Sequence, residues 1–166
     1  MARRIMKSYK KPISASKINI SQLMMPQMAN THGNVHGGWI MKLVDEAGAI
    51  VCMRHSQEKV VTVSIDQMIF KHPVRIGDLV VLEAEISYVG NTSMEVEVNV
   101  YAENVREGKR WHTNKAFLVY VALDLEGNPV KVPGLIAETN EQIERMENAK
   151  ARQEYRLKIK NKGINS

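Results

Sequence analysis

The sequence has one cysteine, few aromatic residues and no long apolar run. A single cysteine, Cys52, excludes an internal disulfide and any multi-cysteine zinc site. No apolar stretch reaches the roughly 18 residues of a membrane-spanning helix, and the basic start of the chain lacks the apolar stretch of a secretory signal. The 166 residues suit one domain. We therefore expect a folded, single-domain protein located in the cytoplasm.

Acidic residues are absent from the first 44 positions, which hold seven of the 23 Lys and Arg residues. The net charge is +5, and so basic a leading segment favours an anionic partner: nucleic acid, a membrane surface or a phosphorylated small molecule. Aromatic residues make up only 5%, and the sequence has no zinc-finger or aromatic-basic RNA-binding motif, which argues against nucleic acid. A phosphorylated ligand remains open.

Hydrophobic periodicity predicts one apolar helix followed by antiparallel strands. After a short strand at 18–25, apolar residues recur at helical spacing over 39–55. Strand-like patterns then follow, with β-branched or alternating residues, at 60–70, 79–89, 93–105 and 111–125. Turn residues between these runs indicate an antiparallel meander. The alternation predicts strands with one apolar and one wet face, whereas the run at 111–125 alternates less cleanly and could be covered on both faces.

The chain divides into a loose basic arm at 1–17, a folded domain at 18–135, and a charged helix and tail at 136–166. The C-terminal helix has ion pairs at i, i+4 but too few apolar residues for the core, so we expect a surface or partner-contacting helix. The helix at 39–55 is the only strongly apolar one available to cover the sheet. The predicted fold class is α+β, with that helix wrapped by the sheet.

The first candidate site is the segment 33–38, Gly-Asn-Val-His-Gly-Gly, which leads directly into the helix. Glycine lets a backbone approach a ligand closely, and the free N–H groups of residues 37–39 would point out of the positive end of the helix. Such amides can form an oxyanion hole, although the same residues are typical of an ordinary turn. His32 and His36 lie nearby without a third ligand, so we expect no metal site.

The second candidate is Asp45, two turns into the apolar helix and close to Gly48. A carboxylate on the flank of a buried helix is costly unless it is paired or used. Glu46 is the competing acid, and one of the two could be solvated or paired with Lys42. Cys52 lacks a base and is interpreted as a packed residue rather than a nucleophile.

Three stretches resemble the hotdog-fold acyl-CoA thioesterases, specifically the group of the bacterial YciA-type enzymes and the brain-type acyl-CoA hydrolases. They read GNVHGGWIMKLVDEAGAIVCMRH (33–55), VTVSIDQMIFKHPVRIGDLV (61–80) and YVGNTSMEVEVNVYAE (88–103). The first stretch is specific, whereas the Pro-Val-x-x-Gly-Asp turn in the second is shared more widely among hotdog proteins. The resemblance covers roughly residues 18–135 and implies the hotdog fold.

The resemblance also implies hydrolysis of fatty acyl-CoA to a free fatty acid and coenzyme A. Asn34 and Asp45 match the catalytic Asn and Asp of the family, which are expected from opposite subunits of a dimer. The amides of Gly37 and Gly38 would complete the oxyanion site. Family dimers extend the sheet and commonly assemble as a trimer of dimers. No cofactor is expected, because coenzyme A is part of the substrate.

Basic side chains and the backbone amides of one turn are candidates to bind the phosphates of coenzyme A. The candidates are Arg54 and His55 at the end of the helix, Lys71 and Arg75 on either side of Pro73, and the turn formed by Gly90, Asn91, Thr92 and Ser93. Two other functions remain open, a non-catalytic acyl-CoA-binding regulator and a dehydratase that uses His36. The sequence does not distinguish a general-base route from a covalent anhydride route, because one carboxylate serves both.

Overall fold

The computed structural model describes residues 10–66 and 68–163, with side chains as far as residue 160. The first nine residues of the predicted arm therefore lie outside the described residues. The elements in chain order are β1 (Lys10–Pro12), β2 (Ile18–Leu23), α1 (Gly37–Ser56), β3 (Lys59–Ile65), β4 (Leu79–Val89), β5 (Ser93–Asn104), β6 (Lys109–Leu123), β7 (Gly134–Ile136) and α2 (Asn140–Gly163). No helix in this part of the chain is both long and apolar enough to cross a membrane.

Five antiparallel strands form the main sheet, in the order β2-β4-β5-β6-β3. The apolar stripe of α1 packs against it, with Val44, Ala47 and Val51 at 0% exposure, whereas Ile50 at the edge of the stripe is exposed. Alternate residues of β4 and β5 fill the other side of this core, as the period-2 pattern requires. The predicted hotdog architecture, a long helix wrapped by an antiparallel sheet, is confirmed.

The outer face of the sheet differs from the prediction of a wet surface. Glu85, Glu95 and Glu97 point outward from β4 and β5, yet all three are buried. Three arginines of α2 reach them: Arg145 pairs with Glu85, Arg152 donates a 2.7 Å hydrogen bond to Glu95, and Arg156 also pairs with Glu95. The wet-face expectation is wrong because acidic residues that face arginines across an interface can be buried as pairs.

The described part of the N-terminal arm is ordered, whereas the sequence predicted a loose segment. β1 pairs in parallel with β7, with Lys11 opposite Leu135. Immediately after β1, Ser14 donates two hydrogen bonds to the Glu138 carboxylate, one from its backbone N–H (2.9 Å) and one from its hydroxyl (2.8 Å). A two-stranded sheet thus ties residues 10–15 to the segment before α2.

Candidate functional site

The loop before α1 is organised by the side chain of Asn30. Its Oδ1 accepts hydrogen bonds from the backbone N–H groups of His32 (2.8 Å) and Asn34 (3.2 Å). The N–H of Asn30 donates in turn to the Asn34 carbonyl (2.7 Å). Gly33 makes the reversal at φ +80°, a conformation that favours glycine. The loop therefore holds the half-buried Asn34 in a defined place, bridged to Arg75.

The start of α1 offers fewer free amides than the sequence predicted. The N–H of Gly38 donates to Nδ1 of His36 (2.9 Å), and the N–H of Trp39 donates to the His36 carbonyl (2.9 Å). In the part of the chain that the structure describes, the N–H of Gly37 has no such partner. The Phe70 ring lies next to it, 3.6 Å from the position of a Cβ added at Gly37. Gly37 is thus the amide best placed to receive a substrate oxygen.

Asp45 is half-buried and accepts hydrogen bonds from two hydroxyl groups of the sheet. Thr62 Oγ1 donates a 2.7 Å hydrogen bond to Asp45 Oδ1. The Tyr120 hydroxyl lies 3.1 Å from the same oxygen and 2.8 Å from the backbone carbonyl of Asp45. Thr62 and Tyr120 sit opposite each other on β3 and β6. Sequence reasoning missed both, since only the strand register places them here; the one local signal was Gly48, which leaves room beside Asp45.

The two competing acids of the helix differ clearly in their surroundings. Glu46 is exposed and forms an ion pair with Lys42 (2.5 Å), as the sequence allowed for one of the two. Asp45 is the acid whose side chain accepts hydrogen bonds from the sheet, one from the exposed Thr62 and one from the buried Tyr120. The interpretation of Cys52 as a packed residue is confirmed, because it is fully buried and burial raises the pKa of its thiol well above the ordinary value.

Asn34 and Asp45 do not meet within one chain. Asp45 lies eight residues into α1, so the rise of about 1.5 Å per residue places it about 12 Å along the helix from Gly37. No hydrogen bond joins the two side chains in the described residues. The loop and the carboxylate are therefore two separate half-sites on a single subunit.

The predicted coenzyme A contacts also lie at opposite ends of α1. Lys71 and Arg75 are exposed near the helix start, where Phe70 packs, and Arg75 lines a cavity of about 320 Å³. Arg54 is exposed at the helix end, and the turn at 90–93 joins the sheet there through the Thr92 carbonyl. A helix of 20 residues separates these groups by about 30 Å. One chain does not bring them onto one surface.

His55 is not available to a ligand, so its predicted role in binding coenzyme A is wrong. Its ring is fully buried, and Nε2 lies 2.9 Å from the Pro133 carbonyl. Burial lowers the pKa of His55, while the Pro133 carbonyl acts in the opposite direction. The reason is its place four residues after Val51, on the apolar stripe of the helix. In the turn at 90–93, the N–H of Gly90 donates to the backbone carbonyl of Ser93 (2.8 Å), so this amide is already bonded within the turn.

Among the described residues, no group of three or more His, Cys, Asp or Glu side chains is arranged to hold a metal ion. The groups that the structure presents for chemistry are instead a carboxylate, two hydroxyls, an amide side chain and a backbone N–H. Such a set can activate water or attack a carbonyl, and it can hold a developing oxyanion.

Comparison with known proteins gives consistent matches. A sequence model described as the thioesterase superfamily matches residues 32–109. The cytosolic acyl coenzyme A thioester hydrolase of Rattus norvegicus is 37% identical over 153 residues, which are 91% of this chain and 40% of that protein. This chain thus spans about 40% of the length of that relative.

Two solved structures superpose closely. An apo-hexameric acyl-CoA thioesterase has a TM-score of 0.87 at 37% identity, covering 90% of this chain and 96% of that one. The acyl-CoA hydrolase of Staphylococcus aureus, in complex with butyryl coenzyme A, coenzyme A and coenzyme A disulfide, has a TM-score of 0.86 at 34% identity, covering 94% and 95%. Alanine variants of that hydrolase replace an asparagine, an aspartate 15 residues later and a threonine 17 residues beyond it. The same spacing here falls on Asn30, Asp45 and Thr62.

Proposed function

This chain belongs to the hotdog-fold thioesterase superfamily, and we propose that it hydrolyses the thioester bond of fatty acyl-CoA, releasing a free acid and coenzyme A. The observation that carries the proposal is the carboxylate of Asp45. Its Oδ1 is bound by the hydroxyls of Thr62 and Tyr120, while no described residue bonds Oδ2. A carboxylate with one oxygen anchored and one open suits a general base or a nucleophile. The relatives named above, including one called cytosolic, support this activity and a cytoplasmic location.

The complete site requires a second copy of the chain. Asn34 and Gly37 lie about two helical turns from Asp45 within one subunit, so a partner has to bring its own loop to this carboxylate. Strand β3 is an edge of the sheet and exposes Val61, Val63 and Ile65. An exposed apolar edge strand is a ready surface for pairing with another strand. Pairing of two β3 strands would extend the sheet into a dimer and would place the interface beside Thr62. The hexameric relative supports further assembly into a hexamer, for which we propose a trimer of dimers.

The reaction then follows from the groups present. The N–H of Gly37 in one subunit donates to the thioester oxygen, while Oδ2 of Asp45 in the other subunit takes a proton from water as the water oxygen attacks the carbonyl carbon. The C–S bond breaks, and the departing thiolate of coenzyme A takes up the proton that Asp45 had accepted, which regenerates the carboxylate. On the alternative route, Oδ2 attacks the carbon directly and the C–S bond breaks with loss of the thiolate. Water then hydrolyses the resulting anhydride to the free acid and the Asp45 carboxylate. Gly38 joins the oxyanion site only if His36 releases its N–H.

Two asparagines are candidates for the amide of the site. Asn34 is half-buried at the helix start and is the residue predicted from the sequence. Asn30 has the spacing of the asparagine replaced in the Staphylococcus aureus hydrolase, and its Oδ1 already holds the loop. Either could orient the water or the carbonyl with its amide group. Loss of one such donor typically costs on the order of 100-fold to 1000-fold in turnover.

Coenzyme A would bind across the same interface. Lys71 and Arg75 are exposed beside the helix start, where they can pair with phosphate groups. The cavity that Arg75 lines also contains Trp111 and Lys109, which offer a ring face and a further cation. Arg54 and the turn at 90–93 lie about 30 Å away on the same subunit. They could serve the same ligand only from the partner subunit.

Release of free thiol from acyl-CoAs of increasing chain length tests the proposal. We would compare the wild type with Asp45→Ala, Asn34→Ala and Asn30→Ala, using Glu46→Ala as the matched control on the same helix. Asp45→Ala is expected to lose at least about 1000-fold in kcat, while Glu46→Ala, which removes only an exposed ion pair, stays within about 2-fold. Coenzyme A binding without hydrolysis by the wild type would favour the regulator instead.

A further inference from the structure

Tyr120 reaches the proposed catalytic carboxylate from the core of the protein. It lies on β6, its side chain is fully buried, and its hydroxyl points at α1. There it is 2.8 Å from the backbone carbonyl of Asp45 and 3.1 Å from Oδ1. A fully buried side chain cannot touch an acyl-CoA, so any effect of this hydroxyl on the reaction has to pass through Asp45.

Gly48 makes this approach possible. A Cβ added at Gly48 would lie 2.8 Å from Cε2 and 2.9 Å from Cζ of Tyr120, and closer still to the hydroxyl oxygen. Real Cβ atoms essentially never make contacts below 3.0 Å, so any larger residue would push the ring away. Gly48 costs helix stability relative to alanine. The close approach of the ring explains glycine at this position.

The two hydroxyls bind one oxygen of the Asp45 carboxylate, Oδ1, and no described residue binds the other, Oδ2. Tyr120 and Thr62 face each other across β3 and β6, and both reach Oδ1. Burial raises the pKa of Tyr120, and the charge of Asp45 raises it further, so the phenol keeps its proton and remains a donor. Because Oδ1 is held, rotation of the carboxylate is restricted and Oδ2 keeps one direction.

We propose that Tyr120 is a positioning residue that fixes the reactive orientation of Asp45, and that Gly48 is the residue that admits it. This inference rests on the proposed catalytic role of Asp45. It extends the catalytic role from the half-buried Asp45 to a buried tyrosine 75 residues further along the chain. It also gives Gly48 a purpose in the reaction rather than in the fold alone.

The substitution Tyr120→Phe tests it, because it keeps the ring and removes only the hydroxyl. We expect kcat to fall about 10-fold while KM stays within about 2-fold, since the ring never meets the substrate. Ser87→Ala is the matched control: the buried Ser87 hydroxyl likewise bonds both a backbone carbonyl and a carboxylate, those of Glu95, but on the outer face of the sheet. Ser87→Ala should lower stability and leave kcat unchanged.

An NMR measurement tests the contact between Tyr120 and Asp45 independently of catalytic activity. In protein labelled with ¹³C at tyrosine Cζ, the Tyr120 signal, assigned by its absence in Tyr120→Phe, should move in Asp45→Asn and stay fixed in Glu46→Ala. An unmoved signal in Asp45→Asn, or a folded Tyr120→Phe with wild-type kcat, would overturn the positioning role. If the wild type hydrolyses no acyl-CoA while the signal does move, the proposed function fails and the Tyr120–Asp45 hydrogen bond stands.

Discussion

Glu85 on β4 lies directly opposite Glu97 on β5, and both side chains are buried beneath α2. Like charges at opposed positions of an antiparallel pair repel each other. Arg145 on α2 pairs with Glu85 and lies 3.9 Å from Glu97, while Lys115 pairs with Glu97 at 2.9 Å. The sheet therefore carries an acidic strip that needs the cations of α2, and ion pairing helps to hold this helix in place.

Replacing Arg145 with methionine should destabilise the protein by about 2 kcal/mol, because two buried carboxylates, those of Glu85 and Glu97, lose a cationic partner. The value lies below that for a fully buried pair, since the Arg145 side chain is 27% exposed. Arg110→Met is the control, because Arg110 pairs with Glu83 at a site where the two side chains are 42% and 34% exposed, and it should cost less than about 1 kcal/mol. Urea unfolding measures both; equal losses would show that α2 is not held by charge.

Thr62→Val should lower kcat about 10- to 100-fold, because a hydrogen bond to a charged group is worth roughly 1.5–3 kcal/mol. Valine keeps the shape of the side chain and removes the hydroxyl that donates to Asp45 Oδ1. Thr62→Ser, which restores the hydroxyl, should recover most of the activity. Steady-state thiol release measures each variant, and equal loss in the Val and Ser variants would argue for packing rather than hydrogen bonding.

The pH dependence of stability should contain a contribution from His55. Burial holds the pKa of this ring below its ordinary value, so the unfolded chain binds a proton at a higher pH than the folded chain does. Stability is then lost as the pH falls below about 6.5 and stops falling once the folded-state pKa is passed. The free energy of unfolding of the wild type should drop more between pH 7.5 and pH 5 than that of His55→Gln.

The control for this measurement is His32→Gln, which changes an exposed histidine in the loop before α1. Its drop in stability between the two pH values should match the wild type. A drop in His55→Gln as large as in the wild type would mean that His55 does not contribute to the pH dependence.

The fold could be predicted well because its signals are local. The apolar stripe of α1 and the alternation in β4 appear directly in the sequence, and most predicted boundaries lie within two residues of those in the structure. The largest difference is at β3, which ends at Ile65 and not at residue 70, and the short strands β1 and β7 were not predicted. The docking of α2 could not be predicted in this way. It depends on arginines about 50 to 60 residues away from buried glutamates, and hydrophobic periodicity carries no information on such pairs.

The candidate site was predicted in part. The sequence singled out Asp45 and Gly48 because an acid and a glycine interrupt an apolar helix. Thr62 and Tyr120 have no motif of their own, and only the register of β3 against β6 places them at this acid. His55 was assigned to the ligand on the basis of its charge type, although its helical position put it in the core.

Val63→Lys should separate the subunits and abolish hydrolysis, if β3 forms the proposed interface. Val63 is 60% exposed on an edge strand, and a lysine there would place a charge between two paired edges. Sedimentation equilibrium should then give a mass near 18.8 kDa, that of one chain. Val105→Lys is the control, because Val105 is equally exposed but lies just after β5, away from this edge.

Dissociation and loss of hydrolysis are expected together, because the proposed site is shared between two chains. A monomer keeps Asp45 with its Thr62 and Tyr120 partners, since all three lie in one chain, but it has no second loop to supply Asn34 and Gly37. A folded Val63→Lys monomer that still hydrolyses acyl-CoA at the wild-type rate would therefore contradict the shared site. An active oligomer would instead remove β3 as the interface and require another surface to bring the half-sites together.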